Sequence, residues 1–340
     1  MRKDFLKKIK KNISLRDYTT FKIGGEAKFF LKTKNKEELK KAIEWAKEKG
    51  LPFFILGGGS NLLVSDKGFK GLVIKIELRN LKNRSQEIFA EAGVKLETLV
   101  KVAEKRGLTG LEWAAGIPGT LGGAIRGNAA AFNCSISEII KEIEVLNTDN
   151  LKWQIFKPKD LKFGYRDSFL KKRKNLIISS ARLKLKKGDK KKIKEKIENN
   201  LRYRKENHPL EFPSVGSIFK NLKFQPSQFF LKYLKKFPEL EKFKQKGEIP
   251  AAYLIEQCGL KGFQIGKVGI SNKHSNFIIN LSGISIYNKN WSSQKKYLTK
   301  ENKNQEKAKA KDVLKLIKLI KRRVKNKFDI ELEEEIEYLK

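Results

Sequence analysis

Apolar and polar positions run in two rhythms through the first half of this 340-residue chain. Short runs of β-branched, aromatic and leucine side chains, namely Ala27 to Leu31, Phe53 to Leu56, Leu72 to Ile76 and Ile88 to Ala92, predict strands. Between them Lys36 to Lys49 has helical spacing. So has Leu96 to Arg106, where Leu96, Leu99, Val100 and Ala103 share one face and Gly107 supplies the stop. Ile139 to Asn147 and Asn175 to Leu185 predict later strands of the same sheet system, so Ser14 to Leu185 has an α/β or α+β layout.

The second half changes character. Asp189 to Glu206 is a lysine-rich helical stretch with Ile193, Ile197 and Leu201 at i, i+4 and i+8, leading to a break between Pro209 and Pro213. The domain boundary is placed just before it, so residues 14–187 are expected to form a first domain, with lobes of about 14–76 and 77–187, and residues 188–340 a second. Ala251 to Cys258 predicts a short helix ending at Gly259, and Val268 to Ile270 and Phe277 to Leu281 predict strands. Residues 282–307, rich in Ser, Asn, Gln and Lys, predict a mobile loop. Beyond it Val313, Leu314, Ile317, Ile320 and Val324 define a helix, and Phe328, Ile330, Leu332, Ile336 and Tyr338 alternate as a last strand.

Charge narrows the partners. The formal +38 arises from 76 Lys and Arg against 38 Asp and Glu, but the lysines are spread over nearly every segment. That scatter points to a compositional bias; a nucleic-acid footprint clusters on one face, with an RNP-type motif or zinc finger nearby, and neither is present. A general positive field still attracts anionic cofactors and nucleotide substrates. Cys134 and Cys258, with His208 and His274, have no metal-ligand spacing and form no disulfide framework. Residues 1–12 are basic without an apolar h-region, and no run approaches 18 apolar residues. The expectation is a reduced, cytoplasmic protein without a membrane segment.

Candidate chemistry begins with two glycine-rich turns, Leu56-Gly57-Gly58-Gly59-Ser60-Asn61 and Gly116-Ile117-Pro118-Gly119-Thr120-Leu121-Gly122-Gly123. Consecutive glycines reach positive φ and expose their N–H groups, so each turn can form a nest around a pyrophosphate, with Ser60 and Asn61 adding side-chain bonds. Neither turn matches a P-loop or a strict G-x-G-x-x-G, and tight turns between packed strands are the alternative. In Pro213 to Asn221, Ser217 stands between a glycine and an apolar pair, on a candidate exposed turn, followed by Lys220 and Asn221. With no G-x-S-x-G and no histidine at an activating spacing, it suits a proton donor better than a nucleophile, or else caps a turn. Arg166, in Phe163-Gly164-Tyr165-Arg166-Asp167-Ser168, can grip a carboxylate or diphosphate, or pair internally with Asp167. On the last strand Glu331, Glu333, Glu335 and Glu337 share a face, and spacing does not choose among them.

In order, these stretches resemble the UDP-N-acetylenolpyruvoylglucosamine reductase family, in its shorter variant. The resemblance covers Leu15 to Gly25, Leu56 to Val64, Gly116 to Asn128, Tyr165 to Ser168, Gly216 to Asn221, Leu254 to Gly266 and His274 to Asn280. It implies an α+β chain: an FAD-binding fold of the vanillyl-alcohol oxidase (PCMH) type, then a smaller α+β substrate-binding domain. It further implies that FAD is reduced by NADPH and that hydride then adds to the β carbon of UDP-N-acetylglucosamine enolpyruvate and a proton to its α carbon, giving UDP-N-acetylmuramate for peptidoglycan. The family's catalytic positions fall on Arg166, Ser217 and Glu335. Its FAD contacts fall on Leu56, Gly57, Gly58, Gly59, Ser60, Asn61, Gly116, Ile117, Pro118, Gly119, Thr120, Gly122, Gly123, Asn128 and Ile178, and its substrate contacts on Tyr165, Lys220 and Asn221. The implied protein is a monomer that binds no metal, nucleic acid or membrane.

Leu222 and Glu334 stand where the family has prolines, Asn133 and Ala130 where it has glycines, and the segment Phe224 to Glu248 is long. Another flavin oxidoreductase of the same fold, or a basic nucleic-acid-binding protein, are the other readings.

Overall fold

The structure, a computed structural model, describes residues 2–223, 233–282 and 306–340. The chain divides into two compact units, one of residues 1–19, 25–60 and 67–206, the other of residues 20–24, 61–66 and 207–340.

The first unit holds a four-stranded and a five-stranded sheet, besides two two-stranded ones. In the four-stranded one, Lys10–Ser14 pairs antiparallel with Glu26–Thr33, which pairs parallel with Phe69–Ile76, itself parallel to Phe53–Leu56. A parallel pair needs a crossover, and the helix Lys36–Glu48 supplies it. Asn35 starts that helix by accepting from the Glu38 amide at 2.8 Å, and Leu39, Ala42, Ile43 and Ala46 bury its apolar stripe. The second sheet is antiparallel, ordered Lys152–Phe156, Ile140–Asn147, Leu176–Lys184, Glu87–Glu91, Leu81–Arg84. The strands predicted as one sheet system therefore separate into two, Ile88 to Ala92 going with the later strands. The helix Leu96–Lys105 buries the four residues its spacing picked out.

The helix Lys190–Asn207 belongs, through Glu206, to this first unit, so the division falls after it and not before. Its buried face also differs from the predicted one: Ile193 and Ile197 are buried with Asn200 and Arg204, while Leu201 is 44% exposed. At about 100° per residue, i+8 lies about 80° round from Ile193, whereas i+7 and i+11 lie within about 20° of it. Polar Asn200 and Arg204 thus occupy the true inward line.

The second unit contains an antiparallel sheet ordered Ser214–Ser217, Phe277–Asn280, Val268–Ile270, Gln264–Ile265. The helices Ala251–Gln257 and Ala310–Phe328 contribute Leu254, Ile255, Val313, Leu316, Ile320 and Val324 to its core. Leu62–Val64 pairs in parallel with Glu337–Leu339. The predicted last strand is corrected here. Phe328 ends the helix, Asp329 reverses the chain at φ 57°, and only Glu337–Leu339 is a strand. Ile330, Leu332 and Ile336 are nevertheless buried, because the extended segment presents alternate side chains to the core without a continuous ladder. Most of the loop expected at 282–307, and residues 224–232 of the long segment, lie outside the described residues.

Among the described residues no helix is long and apolar enough to cross a membrane, and no cluster of His, Cys, Asp or Glu could hold a metal ion.

Candidate active site

The two glycine turns lie against each other in the first unit. A Cβ on Gly58 would stand 2.6 Å from the Gly119 Cα, one on Gly57 would stand 2.9 Å from Thr120 Oγ1, and one on Gly119, at φ +136°, would stand 3.0 Å from Ser60 Oγ. Gly59, at φ +67°, has no room either, since its Cβ would lie 2.2 Å from the Tyr18 carbonyl oxygen. Side chains would force these turns apart, so the glycines serve close backbone approach. The short helix Leu121–Arg126 follows, seated by bonds from the Leu121 and Gly122 amides to the Val94 and Ala92 carbonyls. Thr120 is buried and its Oγ1 has no hydrogen-bond partner among the described residues. A hydroxyl left unsatisfied inside a glycine cradle fits a bound anionic group that accepts from it. Of the other predicted FAD contacts, Gly116, Pro118 and Gly123 are exposed, Ile117 and Gly122 half-buried, and Ile178 is buried on the strand Leu176–Lys184.

Around this cradle lie cations. Lys75 is in register with Leu56 across the parallel pair, and its Nζ donates to the Gly57 carbonyl. Burial pulls its pKa from 10.5 to about 8, opposed by Glu77 and reinforced by Arg79, Lys32 and Lys95. Arg204 fastens the approach to the second turn: Nε donates to the Ala115 carbonyl at 2.8 Å and Nη2 to that of Trp113 at 3.2 Å. Asn200 does the same one turn earlier, donating to the Glu112 carbonyl at 2.9 Å.

The helix Leu121–Arg126 leads to Asn128, whose Nδ2 donates at 2.8 Å to the Gly164 carbonyl, while its Oδ1 is buried without a partner among the described residues. Gly164 and Asp167 close a tight turn through reciprocal backbone bonds of 3.0 and 3.2 Å. Arg166 occupies this turn at φ 55°, a left-handed conformation costly for a non-glycine residue. Its Nη1 donates to the Ala130 carbonyl at 2.8 Å and its guanidinium lies 5.7 Å from the Tyr165 ring centroid. Asp167 pairs with Lys172 at 3.0 Å, which lowers its pKa against the opposing effect of burial.

In the second unit Ser217 is half-buried and ends the strand Ser214–Ser217, in register with Phe277; it is not on an exposed turn. One residue on, the Ile218 carbonyl accepts from the Glu335 amide at 2.8 Å. Phe219 bridges Glu334, and the Lys220 amide donates to the Glu333 carbonyl at 2.9 Å. Asn61, read from sequence as an FAD contact, donates from Nδ2 to the Glu335 carbonyl at 3.0 Å. Glu335 is therefore held at both its N–H and its C=O. Lys220 Nζ meets Glu333 Oε1 at 2.5 Å. Asn221 donates to Glu248 at 2.9 Å and accepts from the Ala251 amide at 3.2 Å, at the start of the helix Ala251–Gln257. Glu334, in a proline position of the resembled family, accepts from Tyr338 and Lys321, bonds that lower its pKa against burial.

Residues 27–150 match a family model described as an FAD binding domain, and residues 208–288 and 299–339 match that of the UDP-N-acetylenolpyruvoylglucosamine reductase C-terminal domain. A UDP-N-acetylenolpyruvoylglucosamine reductase of Clostridium novyi (strain NT) is 36% identical over 329 residues, 96% of this chain and 91% of the relative. One of Prochlorococcus marinus (strain NATL2A) is 39% identical over 334 residues, 97% of each chain. The chain belongs to the UDP-N-acetylenolpyruvoylglucosamine reductase family. The crystal structure of a UDP-N-acetylenolpyruvylglucosamine reductase from Thermus caldophilus superposes with a TM-score of 0.72 at 32% identity, covering 97% of this chain and 98% of the other.

As a member of that reductase family, the chain pairs an FAD-binding domain with the family's C-terminal domain. The family's motifs single out neither Lys75 nor Arg204, whose hydrogen-bonding partners include backbone carbonyls, which leave no pattern of residue types to read.

Proposed function

We propose that this chain binds FAD, accepts hydride from NADPH and reduces the enolpyruvyl ether of UDP-N-acetylglucosamine to UDP-N-acetylmuramate for peptidoglycan synthesis, as a cytoplasmic monomer. The observation that carries the reading is the single backbone hydrogen bond from Glu335 to Ile218, beside Ser217, in a chain with full-length relatives named for this reduction. FAD, when bound, supplies two-electron hydride chemistry. The glycine turns at Gly57 to Ser60 and Gly119 to Thr120 hold its diphosphate, with the Thr120 hydroxyl donating to it.

Hydride addition at the β carbon leaves enediolate character on the α carbon and its carboxylate. Arg166 stabilises that charge electrostatically, and its preformed left-handed turn keeps the guanidinium oriented before the charge develops. Glu335, sharing a proton with the substrate carboxylate, polarises it further. Ser217 gives its hydroxyl proton to the α carbon, a transfer to a strongly basic centre that needs no lowered serine pKa. Tyr165, Lys220 and Asn221 contact the sugar nucleotide.

Anaerobic addition of NADPH to the flavin-loaded protein should bleach its visible absorbance, and the enolpyruvyl nucleotide should restore it. If the nucleotide fails to restore colour, the proposed substrate is wrong. Ser217→Ala should leave bleaching intact and slow the return of colour by on the order of 10²- to 10³-fold, the loss typical of one transition-state donor.

A further inference from the structure

Asn276 is 3% exposed and sits in the turn between the strands Val268–Ile270 and Phe277–Asn280. Its carboxamide makes two bonds to one residue: Oδ1 accepts from the Phe219 amide at 2.9 Å, and Nδ2 donates to the Phe219 carbonyl at 2.8 Å. Its own carbonyl accepts from the Ile218 amide at 2.8 Å. Phe219 needs such a partner because of its place in the ladder. The bonds joining the segment Ser217 to Lys220 to the segment Glu333 to Glu335 are made by Ile218 and Lys220. Phe219 is therefore the non-hydrogen-bonded member of an antiparallel pair with Glu334, and its N–H and C=O point to the opposite side. There the Asn276 side chain takes both groups, acting as one residue of a further strand.

Two residues follow from this clamp. Ser217 directly precedes it, and on the other side Gly216, at φ +81° with open space about it, gives the serine little restraint. Glu335 hangs from Ile218 on the far edge. We propose that Asn276 is a positioning residue that fixes Ser217 and Glu335 relative to each other, so that proton delivery and carboxylate polarisation meet the same substrate. This role rests on the reduction proposed above.

The test uses flavin-loaded Asn276→Ala and Asn276→Asp, each assayed for both half-reactions. Asn276→Ala should keep NADPH bleaching within about twofold and slow reoxidation by the enolpyruvyl nucleotide on the order of 10- to 100-fold, as for a displacement of about 1 Å. Asn276→Asp discriminates further. An ionised carboxylate accepts from the Phe219 amide but repels its carbonyl, whereas the protonated acid can accept and donate as the amide does. Its reoxidation rate relative to wild type at the same pH should therefore recover as pH falls, and burial brings that recovery to a pH above the ordinary aspartate range. Asn276→Asp at low pH also serves should the alanine protein fail to fold. Unchanged reoxidation in both variants overturns the role, as does equal slowing of both half-reactions with no recovery in Asn276→Asp; either leaves the proposed reduction standing. Wild-type flavin that the nucleotide cannot reoxidise overturns the reduction and the role together.

Discussion

Lys75 puts an ammonium group under the first glycine turn, where burial costs it more than its neighbours return. Its pKa in the folded protein, about 8, lies below the 10.5 of an ordinary lysine. Below pH 8 both the folded and unfolded chains hold the proton, and the folded one bears the full penalty of a buried charge. Between pH 8 and 10.5 the unfolded chain binds more protons, so this residue makes stability rise with pH across that window. Lys75→Met removes the effect. Thermal melts should show the variant gaining on wild type by about 1–3 kcal/mol below pH 8, less the lost bond to Gly57, with the gain shrinking as pH approaches 10.5. Parallel melting curves for the two proteins across the whole range would contradict the assignment.

The helix Ala310–Phe328 begins without help from its own neighbourhood, since Lys309 at the N-cap position makes no side-chain cap bond. Asp66 supplies it, accepting from the Ala310 amide at 2.7 Å and the Lys311 amide at 3.0 Å. Its negative charge also suits the positive end of the helix. Asp66→Ala should cost about 1–2 kcal/mol, the range for a lost cap, read as a lower denaturant midpoint with unchanged m; Asp66→Asn should recover part of it. The same helix bounds what a sequence can disclose. Its periodicity was legible from Val313 to Val324, because a buried stripe leaves a pattern in the residues themselves. Its cap was not, because the accepting carboxylate of Asp66 is far away in the chain. Asn200 and Arg204 hid for a related reason: hydrophobic spacing registers only apolar side chains, and here polar ones fill the inward line. The site divides in the same way. Ser217, Arg166 and the glycine turns were legible through motifs, whereas the Asn276 side chain binds the backbone of Phe219 and no residue type announces that. The last strand was misread because alternate burial does not require a ladder.

Across the whole molecule the excess of 76 basic over 38 acidic residues works in two opposed directions. Many ion pairs are exposed, Lys101 with Glu97 for instance at 70% and 64%, and contribute little to stability. The net positive charge repels itself, which weakens the folded state, and at the same time draws anions toward the protein. The proposed substrates, NADPH and the enolpyruvyl nucleotide, are both anionic, so their encounter with the protein should be accelerated at low ionic strength. Raising NaCl from about 0.01 to 0.5 M shortens the screening length from roughly 30 Å to less than 10 Å. Over that range kcat/KM for each substrate should fall several-fold with kcat nearly constant, while the thermal midpoint rises as self-repulsion is screened. The two responses separate the field from the site. A loss of kcat would mean that salt reaches the groups doing the chemistry, and a flat kcat/KM would mean that the scattered lysines steer nothing and serve solubility alone. The expected combination, slower capture by a more stable protein, is specific to a charge spread over the whole surface, because a local anion site would lose affinity on screening without stabilising the fold.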